Sequence, residues 1–196
     1  FNFTKRFSKG FNLNASYTRM FQDNKTIIEN EFERDPRIWW PSDTAPPHRL
    51  TGTAIIELPF GRGRKYLQSG ILNHLFGGWQ AAATYEFQNG PLLSWGNVFY
   101  RGDMNNFEAD AKSGTKTLDR WFNTNLPFER IAASQPAAFH TRIFPRFFNG
   151  LRADGLNQWN ANLLREIRIS EGLRFQFRAD AINVQNRSQM AAPDVN

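Results

Sequence analysis

Phe11-Asn12-Leu13-Asn14-Ala15-Ser16-Tyr17-Thr18 is the stretch on which the fold of this chain turns. Apolar and polar residues alternate with a period of two, and Phe21 continues the apolar set. Successive side chains of a strand point to opposite faces, so this segment has one greasy face and one polar face. The pattern restarts three times. Leu50, Gly52, Ala54, Ile56, Leu58 and Phe60 alternate with Arg49, Thr51, Thr53 and Glu57. Trp79, Ala81, Ala83, Tyr85 and Phe87 alternate with Gln80, Thr84, Glu86 and Gln88. Leu173, Phe175, Phe177, Ala179 and Ala181 alternate with Arg174, Gln176, Arg178 and Asp180. The polar faces are rich in Asn, Gln, Ser and Thr. Runs of about ten residues suit a tilted strand crossing a bilayer.

The connections between these runs carry a second signal. Ser8-Lys9-Gly10 and Ser170-Glu171-Gly172 are tight links, and Pro59 to Gly63 opens a medium one. Glycine tolerates the positive φ that hairpin turns require. Residues 22–47, ending in Pro46-Pro47, and residues 89–156 are long and polar, with no sustained period. Short and long links therefore alternate along about six strands, the asymmetry of short periplasmic turns and long extracellular loops. The expected fold is all-β, an antiparallel transmembrane β-barrel fragment in the bacterial outer membrane. Six strands are too few to close such a sheet, and an open edge is not tolerated in hydrocarbon. The chain is thus expected to be part of a larger barrel.

On this reading Phe11, Leu13, Tyr17, Leu50, Ile56, Leu58, Trp79, Tyr85, Phe87, Phe175 and Phe177 face lipid. Trp79, Phe60 and Trp159 fall near strand ends, at headgroup level. Arg19 and Arg165 break the apolar parity, which calls for snorkelling or a bulge. Within residues 66–78, Leu67, Ile71, Leu72, Leu75 and Phe76 are spaced for a short amphipathic helix along the interface. The uncharged stretch from Tyr66 to Tyr85 holds too many polar residues and glycines for a spanning helix.

Charge and composition narrow the function classes. The net charge is +6, of which residues 1–21 supply four positive and no negative charges. Residues 22–78 carry seven of each sign, and residues 97–156 carry eight positive and six negative. No contiguous basic stripe is present, so no nucleic-acid site is expected. There is no cysteine, hence neither disulfide nor thiolate metal site. His48, His74 and His140 lack metal-ligand spacing. Glu29, Glu31, Glu33 and Asp35 cluster without the pattern of a calcium loop and read as a solvated acidic segment. Gly61-Arg62-Gly63-Arg64 lacks the lysine and hydroxyl of a phosphate loop and reads as a basic turn. No nucleophile, base and acid can be singled out, so neither catalysis, metal nor cofactor is expected. Among loop aromatics, Trp39, Trp40, Trp95, Phe99, Tyr100, Trp121 and Phe122, with Arg120, offer stacking surfaces and a guanidinium fork for ligand contact. Their other use is to pack the long loops.

Several ordered pieces also resemble a known family. His48-Arg49-Leu50, Glu57-Leu58-Pro59-Phe60-Gly61-Arg62-Gly63-Arg64, Leu75-Phe76-Gly77-Gly78-Trp79-Gln80 and Gln88-Asn89-Gly90-Pro91 come first. Asn157-Gln158-Trp159-Asn160, Ile169-Ser170-Glu171 and Leu173 to Ala179, with Asn183 and Asn186, follow in the same order. Together they are similar to the C-terminal barrel of TonB-dependent outer-membrane transporters, in the Oar-like branch that carries a carboxypeptidase-regulatory-like N-terminal domain. The resemblance implies a barrel of about 22 strands, an N-terminal plug, and import energised through TonB. It makes residues 1–196 a partial C-terminal barrel domain without plug, N-terminal strands or last strand. Implied partners are outer-membrane lipid, the TonB complex through the N-terminal part, and a small-molecule, oligosaccharide or peptide substrate. Two alternatives stand beside it. One is a soluble β-sheet module that binds glycans or single-stranded nucleic acid on Phe175 and Phe177, between Arg174 and Arg178. The other is an outer-membrane adhesin.

Overall fold

A computed structural model describes residues 1–25, 39–41, 46–114, 117, 119–137 and 140–193, with backbone only at 25 and 39–41. Among the described residues eight strands run in chain order: β1 (Asn2–Ser8), β2 (Phe11–Arg19), β3 (Asp23–Lys25), β4 (Trp39–Pro41), β5 (His48–Glu57), β6 (Trp79–Gln88), β7 (Leu156–Arg168) and β8 (Arg174–Ala181). Two short helices, α1 (Gly70–Phe76) and α2 (Phe107–Lys112), lie in the connections. The chain divides into two units, each described by itself.

The first unit is a six-stranded antiparallel meander in the order β1-β2-β5-β6-β7-β8. Its register aligns the greasy positions across β2, β5, β6, β7 and β8, whereas β1 sets Lys5 opposite Leu13 and shifts register between Lys5 and Ser8. Leu13 pairs with Ala54, Ala54 with Ala83, Ala83 with Ala161 and Ala161 with Ala181. One residue along, Asn14, Thr53, Thr84 and Asn160 form the corresponding polar row. A one-residue slip anywhere would swap the faces, so the pattern of each strand fixes the register of the next. At the β1–β2 turn, Lys9 and Gly10 have φ of 52° and 77°. Positive φ at both turn positions is the two-residue geometry that matches strand twist.

Two strands are shorter than their alternation suggests. β2 stops at Arg19 and leaves Phe21 exposed. β5 stops at Glu57, though Leu58 N–H still donates to Trp79 O at 2.9 Å. In the β5–β6 connection, Gly61 has φ of 111°, and a Cβ there would come within 2.8 Å of Gly77 Cα. Two glycines are needed because two backbones touch.

Among the described residues the buried hydrophobic side chains all fall between Leu92 and Ala153, and none lies on these six strands. The sheet's greasy face has no second protein layer from its own unit. A soluble sandwich or barrel of this size buries one face of every strand against a core, which this sheet does not do.

The second unit comprises Met20–Pro47, Asn89–Gly155 and Gln189–Asn196. Residues 20–47 contain the β3–β4 ribbon, in which Asn24 pairs with Trp40 and Lys25 with Trp39. Period-two reading missed it because each strand is three residues long. Residues 89–155 hold α2, a 3₁₀ turn at Ala132–Ser134 and a hydrophobic cluster of Leu93, Trp95, Phe107, Ala111, Leu126, Phe144, Phe148, Leu151 and Ala153. The long connection is therefore a folded body with its own core.

Candidate functional site

The two faces of the sheet differ in chemistry. On the polar face, uncharged groups bond to each other: Gln158 Nε2 donates to Asn160 Oδ1 at 3.1 Å, which also accepts Asn183 N–H at 2.9 Å. Charged groups on this face pair across strands or along one, as Arg49–Glu86 (3.6 Å), Arg174–Glu166 (3.1 Å) and Arg178–Asp180 (3.0 Å). Exposed pairs of this kind contribute little stability, about 0–1 kcal/mol each. Their effect is to leave the face polar with its charges locally matched.

On the greasy face the aromatics form two rows. Trp79 opens β6 at the short-turn end and meets Phe177 edge to face at 5.5 Å. Toward the long-loop end, Tyr85 stacks on Trp159 at 4.5 Å and Tyr17 on His48 at 6.0 Å, with Tyr17 Oη and His48 Nδ1 2.7 Å apart. Six residues separate Trp79 from Tyr85, about 20 Å of strand at ~3.3 Å per residue. On β5, β6 and β7 alanine, leucine, isoleucine and glycine fill the belt between, and Phe11 joins it from β2. Rings with a polar tip at both borders of an aliphatic belt are the pattern of a membrane barrel.

The parity break at Arg165 has a structural reason, and it is not a bulge. The β6–β7 register runs unbroken through the Trp79–Arg165 pair. Arg165 Nη1 donates to Leu75 O at 2.7 Å, Nη2 donates to His74 O, and the guanidinium lies 5.6 Å from the Trp79 ring centroid. A cation at the C-terminal carbonyls of a helix satisfies groups the helix itself leaves open. Arg165 thus caps α1 at the border of the greasy face.

The loop aromatics fall into place differently from one another. Trp95 is 3% exposed and packs on Phe107, Phe122, Phe128, Phe144 and Phe148, with centroids 5.0–6.3 Å away. Such contacts add about 0.5–1.5 kcal/mol per pair beyond area burial. It sits inside the loop body. Tyr100 is half-buried against Phe107, Phe128 and Phe144. Trp121 packs on the cluster and donates Nε1–H to Arg152 O at 2.9 Å. Arg120 Nη2 donates to Asn123 Oδ1 at 3.1 Å. The Trp39 and Trp40 side chains lie outside the described residues, as do Glu29, Glu31, Glu33 and Asp35. Among the described residues no group of three or more His, Asp or Glu converges.

Residues the sequence did not single out close the neck of this body. Leu93 N–H donates to Leu151 O at 3.0 Å, Ala153 N–H to Pro91 O at 2.9 Å, and Arg152 Nη1 to Gly90 O at 3.1 Å. A Cβ on Gly90 would collide with the Ala153 carbonyl, so glycine is required there. Burial lowers the Arg152 guanidinium below its ordinary value. Burial also raises the Tyr100 phenol, helped by the charges of Asp110 and Asp103.

Glu129 gives the loop body a pH dependence. The Arg101 guanidinium, 2.5 Å from Oε2, holds its carboxyl below the ordinary range, and Ile131 N–H adds a 2.9 Å bond to Oε1. A carboxylate depressed on folding adds stability above its unfolded pKa and loses it as pH falls through the folded one. Digestion of the loop by an acid-tolerant protease should therefore accelerate as pH drops below the ordinary carboxylate value. Arg101→Ala should flatten that acceleration, because the Glu129 carboxyl then titrates nearer its unfolded range and folding gains less from its ionisation. An identical pH profile for the variant would refute the assignment.

No curated protein and no solved structure matches the chain significantly. A family model described as an outer membrane beta barrel domain matches residues 1–196. With a one-sided antiparallel meander already in place, that match retires the soluble binding module. The chain belongs to the outer membrane beta barrel domain family and resides in the outer membrane.

Proposed function

We propose that this chain is part of the barrel of a TonB-dependent receptor of the Oar-like type, which binds a small molecule, oligosaccharide or peptide and imports it. The observation that carries the reading is the pair of sheet edges. The outer edges of β1 and β8 have no strand partner among the described residues. A sheet in hydrocarbon must close, so these six strands are one sector of a wider barrel. Wide, plugged lumens serve active import, and the ordered motif series points to the same branch. In this reading Phe11, Leu13, Tyr17, Leu50, Ile56, Leu58, Trp79, Tyr85, Phe87, Phe175 and Phe177 meet lipid, and the amide-rich reverse face lines the lumen. Residues 89–155, the connection between β6 and β7, are in this reading an extracellular loop. There Arg120 and Trp121 are candidate ligand contacts, next in sequence to Phe122, which packs on Trp95. The TonB complex engages a plug-bearing N-terminal part. The chain performs no catalysis, needs no cofactor and binds no nucleic acid.

The test is energised uptake. Cells carrying the protein should accumulate a labelled cargo drawn from those three classes, and both a protonophore and loss of TonB should abolish accumulation. Uptake that persists under both treatments would make it a passive pore. The compact loop body also suits adhesion, and that role is separable: cell attachment would survive the protonophore.

A further inference from the structure

The β5–β6 connection is unusual for a short-turn-side link because it carries exposed greasy side chains on a helix. In α1, Ile71 is 78% exposed, Leu72 51%, Leu75 55% and Phe76 51%, and none of its residues is buried. A seven-residue helix has too little intrinsic stability to persist in water without tertiary contacts. Here it is fastened by its C-terminal carbonyls. Arg165 holds the His74 and Leu75 carbonyls, and Trp79 Nε1 donates to Leu75 O at 3.0 Å. Both fasteners belong to the greasy face of the sheet, so α1 is tied to the border of that face. On β7 and β8, Ile167, Phe175 and Phe177 share that face.

Charge of one sign surrounds the helix. Arg62 and Lys65 are exposed in the turn before it, while Arg64 is ion-paired with Glu57. No acidic residue occurs between Glu57 and Glu86. A greasy helix with a cationic flank is the composition that seats at a headgroup–acyl boundary, and basic residues near an anionic surface strengthen that seating.

We propose that α1 and the Arg62–Lys65 turn form an interfacial anchor that binds anionic phospholipid of the periplasmic leaflet. The assignment rests on the lipid-facing reading above. It goes further in committing a connection outside the strands to a specific leaflet. β5 and β6 are interior strands of the sheet, flanked by β2 and β7, so additional barrel strands join elsewhere and leave α1 free for lipid. Arg165 acts here as a positioning residue: it neutralises its own cost on the greasy face by orienting the helix.

The experiment uses the membrane-inserted protein in phosphatidylethanolamine–phosphatidylglycerol vesicles containing brominated phospholipid. The 196 residues contain no cysteine, so Ile71→Cys or Leu75→Cys carries one fluorescent label within them. Each label should be quenched by the brominated lipid to within about twofold of an Ala83→Cys label inside the belt, and iodide should quench it weakly. Arg62→Glu combined with Lys65→Glu should reduce lipid quenching at Leu75→Cys, most clearly with brominated phosphatidylglycerol. Arg165→Gln should reduce it too and leave the Ala83→Cys control unchanged. Quenching of the helix labels by iodide alone would overturn the anchor, and so would protection from both quenchers, which indicates a protein cover. If the Ala83→Cys control itself resists lipid quenching, the lipid-facing reading fails and not merely the anchor.

Discussion

Ala83→Arg should cost the inserted protein about 2–4 kcal/mol, whereas Thr84→Arg should stay within about 0.5 kcal/mol of the parent. The two positions are consecutive on β6 and have the same strand neighbours, β5 and β7. They differ in face. Ala83 sits in the row with Ala54 and Ala161, between the Trp79 and Tyr85 borders; Thr84 sits among Thr53 and Asn160. A guanidinium inside a lipid-covered belt has no water beside it and reaches the nearer border only with its stem fully extended. On the opposite face it meets solvent and neighbouring oxygens. Urea titration in phospholipid vesicles should show the Ala83→Arg equilibrium shifted about 30- to 1000-fold toward the unfolded chain. Heat-modifiable gel migration should follow it. Equal losses at both positions would mean that the faces do not differ in solvent, and the membrane assignment of the belt would fall with them.

The second large effect concerns the loop body. Trp95→Ala removes the ring that five others touch and should cost about 3–5 kcal/mol locally. Protease cleavage within residues 89–155 should rise about a hundredfold or more, while the strands keep their heat-modifiable migration. The indole itself is less important than its bulk: Trp95 Nε1 is buried without a hydrogen-bond partner in the described structure. Trp95→Phe gives up part of the packing but relieves that unpaired donor, and the net change should be about 1 kcal/mol or less. If Trp95→Phe proves as damaging as Trp95→Ala, the cluster is held by the indole's polarity and not by ring packing.

These two regions were unequally legible in the sequence. The strands announced themselves because a half-buried β segment repeats every two residues, and Lys9-Gly10 and Glu171-Gly172 punctuate it. The register followed from Leu13, Ala54, Ala83 and Ala161 having to share a face. The loop body offers no such period. Trp95, Phe107, Phe122, Phe128, Phe144 and Phe148 converge from irregular spacings along one connection, and packing in three dimensions leaves no linear signature. Only α2 left a trace, with Phe107 and Ala111 buried four residues apart and Lys112 bonded to Glu108 at 2.9 Å. Arg165 was visible as an anomaly in the parity of β7. Its explanation lay 90 residues upstream, at backbone carbonyls that no side-chain pattern reports. Sequence grouped Trp95 with Arg120 and Trp121 by residue type; burial separates it from them.

The zipped neck at Gly90–Leu93 and Leu151–Ala153 has an evolutionary consequence. A long insertion between two strands ordinarily loosens the hairpin it interrupts, because its ends must be brought together at an entropic cost that grows with length. Here the insertion joins its own ends, so the host hairpin feels only a short link. Such a segment is portable: it can be lengthened, diversified or exchanged for another cassette while the scaffold beneath it keeps its alignment.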